Sequence, residues 1–114
     1  MRIDQTDLEI QREPFARPFA FKGSAFHEKW NLIARLRDDT AGTQAFGVGG
    51  LAVLWSDSRV FARHSEMGGN ALMVALLERG LALAKDVGEV ESPPQLLSSL
   101  LPPVEDYARV VTGV

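Results

Sequence analysis

The sequence predicts an α+β domain: a three-stranded antiparallel meander followed by a helical segment of about three helices. Three observations carry that expectation. The first half of the chain alternates apolar and polar residues at the two-residue period of a strand, while the second half repeats apolar residues at helical spacing. The two regimes do not interleave, and strands first with helices afterwards is the order of an α+β domain. At 114 residues the chain has the usual size of one domain with its own core.

Met1 to Gln11 carries Ile3, Leu8 and Ile10 among polar residues, a strand signal whose phase slips once, as a β-bulge makes it do. In REPFARPFAFKGSAF, Pro14 and Pro18 exclude a helix interior and a central strand, so an extended loop rich in phenylalanine (Phe15, Phe19, Phe21, Phe26) is expected. Trp30, Leu32, Ala34 and Leu36 alternate with Asn31, Arg35 and Arg37, with Ile33 the exception, and form the clearest strand. Asp38-Asp39-Thr40-Ala41-Gly42 supplies turn residues, Gly42 being able to take positive φ. Gln44, Phe46 and Val48 alternate on a third strand, which so short a turn joins antiparallel to the second.

Helical spacing of Leu72, Ala75, Leu76 and Leu83 predicts a first helix over Glu66 to Lys85, with Ser65 as N-cap and Gly88 just past its end. Gly68, Gly69 and Gly80 each weaken it by roughly 1 kcal/mol, which points to close approach of another backbone. Ser92-Pro93-Pro94 opens a second helix, with Ser92 as cap and proline in its first turn; it carries Leu96, Leu97, Leu100 and Leu101. Pro102-Pro103 is expected to end it and to start a third, Val104 to Val111, with Tyr107 and Val110 on one side.

Composition excludes several function classes. Net charge is −3 with no basic block, so the electrostatic footprint of a nucleic-acid binder is missing. The absence of cysteine removes disulfides, thiolate nucleophiles and cysteine-ligated zinc, and fits a reducing cytoplasm. MRIDQTDLEIQREP is acidic without a continuous apolar run, unlike a signal peptide. Ala71 to Ala84 is interrupted by Glu78 and Arg79 and is too short and too charged to span a bilayer. A soluble cytoplasmic domain with no membrane partner is expected.

AFGVGGLAVLW, residues 45–55, resembles a phosphate loop at first sight. Gly47-x-Gly49-Gly50 is followed by Leu51-Ala52-Val53 rather than by a helix start, so neither the dinucleotide fingerprint nor a Walker A loop is present. A strand that bends into a loop explains these glycines better. His27 and His64 lack the i, i+4 pairing that sets two metal ligands on one helix face, and no metal site is expected. Asp38 and Asp39 are adjacent and so point to opposite faces of a strand; Glu66, Glu78 and the other acids read as a solvated surface. No serine has a G-x-S-x-G context, and no catalytic set is assigned. Two apolar segments remain, PFARPFAFKGSAFHEKW and GGLAVLWSDSRVF, either of which covers the domain's own core or a partner.

The order of these pieces resembles the N-terminal capping domain of the enolase superfamily, in its mandelate racemase and muconate lactonizing enzyme branch. MRIDQTDLEI stands as the opening strand, RPFAFKGSAFHEKWNLIARLRDD as loop and second strand, and AGTQAFGVGG as the third strand; the long helix and SPPQLLSSLLPP follow. Gly50 departs from the pattern, since members commonly carry glutamate there. The resemblance implies a cap that closes two loops, here Arg17 to His27 and Gly47 to Ser58, over a separate catalytic barrel. In that barrel Mg²⁺ stabilises an enediolate formed by proton abstraction beside a carboxylate. It implies that Phe19, Phe21, Lys22, Phe26, Leu51, Leu54 and Trp55 face a small carboxylate substrate, with no catalytic residue and no metal ligand in the cap itself. Since the sequence ends at Val114, where such a barrel would begin, this chain is expected to be inactive alone as a racemase, epimerase or lyase. It is expected to self-associate, or to be captured by a barrel chain, through an inter-domain surface of about 600–1,500 Å². The alternative is a stand-alone module that binds a small ligand or a protein without catalysis.

Overall fold

The structure, a computed structural model, describes residues 1–21, 24–51, 58–61 and 63–114; for 21, 24, 51, 58 and 61 it describes the backbone alone. Three strands, β1 (Gln5–Phe21), β2 (Ser24–Asp38) and β3 (Thr43–Leu51), form an antiparallel sheet in the order β1-β2-β3. A one-turn helix α1 (Ser58–Phe61) precedes two long helices, α2 (Glu66–Asp86) and α3 (Pro93–Thr112). The α+β class and the antiparallel meander are as the sequence predicts, but the long helices number two and not three.

Pairing of Leu8 with Ala34, Ile10 with Leu32 and Arg12 with Trp30 sets these residues on one face of the sheet. That face meets α2. Trp30, Leu32 and Val74 form one buried cluster with Leu8 and Leu77 against it. A second cluster, Ile3, Ala84, Val90 and Leu96, closes the other end with Met1, Leu36, Val87 and Leu100. Ile3 precedes β1, and the register runs unbroken from Gln5↔Arg37 to Pro14↔Glu28. The phase slip near the N-terminus is therefore the start of the strand and not a bulge. β3 turns its large residues away from the core. Phe46 and Val48 lie on the face away from the helices, 63% and 72% exposed, and the helix-side positions are Ala45, Gly47 and Gly49.

The turn forms as its residues demand. Gly42 takes φ +68°. Asp38 accepts hydrogen bonds from the backbone N–H of Ala41 at 3.0 Å and of Arg2 at 3.1 Å, which hold its carboxyl below the usual carboxylate range. Asp4 accepts from the Asp39 N–H at 2.7 Å. These acids fix the turn to the N-terminal segment, a more specific role than a solvated surface.

Ser65 caps α2, its hydroxyl accepting from the Gly68 N–H at 2.9 Å, and Ser92 caps α3 by accepting from Gln95 N–H at 3.3 Å. Gly113 closes α3 in the left-handed conformation, donating to the Arg109 carbonyl. Pro102 and Pro103 sit inside α3 without ending it. They deprive the carbonyls of Ser98 and Ser99 of their helical donors, and both serines are exposed, so water can replace the lost bonds. Gly80 admits a side chain, not a backbone: a Cβ there would lie 3.6 Å from Cγ2 of Val104.

The molecule is elongated, 49 × 31 × 18 Å, with a radius of gyration of 15.8 Å. About 13 Å is typical of a compact domain of this length. Residues 11–20 of the β1–β2 hairpin are all exposed.

Candidate functional site

The segment that reads as an aromatic loop is a strand-paired arm. Phe19 pairs with Phe26, Ala20 with Ala25 and Phe21 with Ser24, as far as residues 22 and 23. Two prolines are tolerated because β1 is an edge strand and because they flank an irregularity. β1 advances from Pro14 to Phe19 while β2 moves only between Glu28 and Phe26, so the extra residues on β1 reverse its phase. Phe19 thereby joins the face that carries Phe26, Glu28 and Trp30. Phe26 is 8% exposed and Phe19 is 51% exposed, so one ring of the pair is buried and the other half open.

At the base of the arm four side chains interlock. Arg12 donates to both oxygens of Glu28, Nη2 to Oε1 at 2.6 Å and Nε to Oε2 at 3.0 Å. The Trp30 indole N–H donates to the same Oε1 at 3.1 Å, and the Arg12 guanidinium lies 5.2 Å from the Trp30 ring centroid. Arg12 first and Trp30 second hold the Glu28 carboxyl below its ordinary range, and Glu28 in turn raises that of Arg12. Glu66, in the first turn of α2, accepts from the His27 backbone N–H at 2.7 Å and from that of Glu28 at 3.5 Å. Its other oxygen lies 3.4 Å from His27 Nδ1. Met by Arg12 and Trp30, the Glu28 carboxylate is held as an anion, and the cluster ties β1 and α2 to β2 at the base of the arm.

β3 reaches the same end of the sheet, where Leu51 pairs with Trp30. Gly50 makes a close approach there: a Cβ on it would fall 2.8 Å from Lys29 Cε. Of the residues expected to face substrate, Phe19 and Phe26 pair directly. Phe21 and Leu51 are placed by their backbones at the arm tip and at the end of β3. Lys22, Leu54 and Trp55 lie outside the described residues. The strand portions of both expected loops thus reach the same end of the sheet as strands, ladder-paired over 19–21, 24–26 and 47–51.

Beside the N-terminal half of α2 an open groove of about 250 Å³ runs between α1 and the end of α3. Val60, Leu72, Met73, Leu76, Ala108 and Thr112 make it mostly apolar. Among the described residues no group of three or more His, Asp or Glu side chains is placed to hold a metal ion, and no helix is long and apolar enough to cross a membrane.

The sequence places Trp30 on the inward face of a strand and Glu66 among surface acids, and nothing in it joins them to Arg12 and Glu28 as one cluster. Glu28 and Trp30 at i, i+2 share a strand face, and that much was readable. Their partners were not, because Arg12 arrives through strand register and Glu66 through helix docking. Comparison with protein families, with curated proteins and with solved structures finds no match to this chain.

Proposed function

We propose that this chain is a capping, substrate-selecting domain of the enolase-superfamily kind, working with a catalytic barrel on a small carboxylate. The observation that supports the reading is that the Phe19–Phe26 arm tip and the end of β3, where Leu51 pairs with Trp30, lie toward the same end of the sheet. On this reading Mg²⁺ and the proton-transferring groups belong to the barrel. The metal supplies electrostatic stabilisation of the enediolate there. This chain binds, orients and excludes water: the half-exposed Phe19, in register with the buried Phe26, offers an apolar surface to the substrate, and the Arg12–Glu28–Trp30 brace fixes the base of the arm that carries it. Lys22 pairs with a distal anionic group of the substrate, and Leu51, Leu54 and Trp55 supply the second wall.

Native mass spectrometry of the protein recovered gently from its source tests the proposal. Association with a barrel of about 25 kDa, and turnover of small carboxylates that needs both the barrel and Mg²⁺, is the expected result. Binding of a small acid by this chain alone, indifferent to Mg²⁺ and unaffected by any second chain, overturns it in favour of a stand-alone module.

A further inference from the structure

The two edges of the sheet are built differently. β1 carries Pro14, Pro18, a register shift and the charges of Asp7, Glu9, Arg12, Glu13 and Arg17. Those are the devices that keep a strand edge from recruiting another strand. β3, TQAFGVGGL, has none of them: nine residues without a charge or a proline, in unbroken register with β2. Among the described residues no strand pairs with its outer side. Backbone groups along an edge point alternately in and out, so about half of the β3 N–H and C=O pairs face outward with no strand to receive them.

We propose that β3 is a dimerisation edge. Two copies pair β3 with β3, antiparallel across a two-fold axis at Gly47, and join their sheets of three strands into one of six. The strand itself selects a second copy as occupant. Reflection about Gly47 sets Phe46 opposite Val48 of the other copy, twice, on the open face where both are exposed in the single chain. An aromatic facing a β-branched residue is a favourable cross-strand pair. Ile33, next to Val48 in register, extends the apolar stripe inward on each side. On the other face Ala45 meets Gly49 and Gly47 meets its own counterpart, so no bulk opposes the approach. Each chain carries net charge −3 but none of it lies on β3, so the strands meet without like-charge opposition. A charged partner finds nothing on this strand to pair with. The contact is isologous and closes at two copies. This inference stands apart from the capping reading.

Sedimentation equilibrium on the full chain at micromolar concentration is expected to show a dimer, with no ladder of higher species. Val48→Lys, at a position 72% exposed, should keep the far-UV circular dichroism of the parent and lose the dimer. Because the chain has no cysteine, Gly47→Cys provides a second readout that does not depend on Val48. Residues directly opposed across a strand pair lie within disulfide reach, and a Cβ at Gly47 meets nothing within 4 Å. Mild oxidation should therefore link Gly47→Cys as a dimer and leave Val110→Cys, on the exposed side of α3, unlinked. A monomeric parent, a Val48→Lys variant that dimerises as the parent does, a ladder of larger oligomers, or equal linking of the two cysteine variants overturns the proposal.

Discussion

Leu32→Ala and Val48→Thr test the face assignment from which the arm, the core and the open edge all follow. Leu32, paired with Gly49, is 2% exposed, while Val48, paired with Ile33 on the opposite face, is 72% exposed. Truncating Leu32 opens a cavity bounded by Trp30, Val74, Leu8 and Leu77, for which about 3 kcal/mol is the expected loss. An unfolding entropy near 2.1 cal/mol/K per residue over 114 residues gives roughly 0.24 kcal/mol/K. The melting midpoint should therefore fall by about 12 °C. Val48→Thr keeps β-branching and places its hydroxyl in water, so its expected effect stays within about 0.5 kcal/mol, or some 2 °C. Thermal unfolding followed by circular dichroism, in dilute solution so that association does not contribute, reads both. A one-residue slip of β2 and β3 would turn every side chain to the other face and exchange the two results. Equal shifts, or a larger shift for Val48→Thr, refute the packing of this face on α2.

Asp38 and Glu28 both titrate below their ordinary range in the folded chain, so the stability they contribute is fully present above that range, near pH 4–4.5, and is lost as pH falls through their lower folded values. Denaturant midpoints measured from pH 7 downward should decline in that acid window, and Asp38→Asn should flatten the decline; an unchanged slope counts against the Ala41 and Arg2 hydrogen bonds. Pro102→Ala should raise the melting midpoint by the equivalent of about 1–2 kcal/mol, since a helix-interior proline costs about 3 kcal/mol and part of that is offset by its stiffening of the unfolded chain. A lowered midpoint would show that α3 depends on the proline. Glu66→Gln removes the charge that receives the His27 and Glu28 amides. Hydrogen exchange there should quicken severalfold while the Leu32 and Ala34 amides stay protected, and a uniform change along β2 would mean that Glu66 does not brace the arm locally.

What was legible in the sequence is what depends on neighbours in sequence. The alternation of Trp30, Leu32, Ala34 and Leu36 identifies β2 and its inward face, and Ser65 and Ser92 mark both helix starts. Gly42 marks the turn. Prolines proved the hard cases, because their cost depends on where the missing donor would have pointed. Pro14 and Pro18 read as strand breakers, yet an edge strand with a register shift accommodates them. Pro102-Pro103 reads as a helix end, yet exposed carbonyls at Ser98 and Ser99 let α3 continue. Nothing local distinguishes these outcomes. The brace of Arg12, Glu28, Trp30 and Glu66 was hidden for a related reason: its members come from three elements, and only register and docking bring them together.

That brace also limits how the arm can act. A segment that closes over a ligand must move against a part that stays fixed. Arg12, Glu28 and Trp30 tie β1 to β2 across two successive positions of one sheet face, and Glu66 ties the same stretch of β2 to α2. Motion of the whole hairpin would have to break a two-point guanidinium–carboxylate contact and the hydrogen bonds of Glu66 together. Between Pro14 and Phe19 the ladder is interrupted and β1 lacks two donors, so bending there sacrifices least. On the capping reading, closure therefore pivots at 14–19 and carries Phe19 while Trp30 stays in the core. The braced stalk is then the fixed part, and on that reading selectivity falls to Phe19 rather than to Arg12, Glu28 or Trp30.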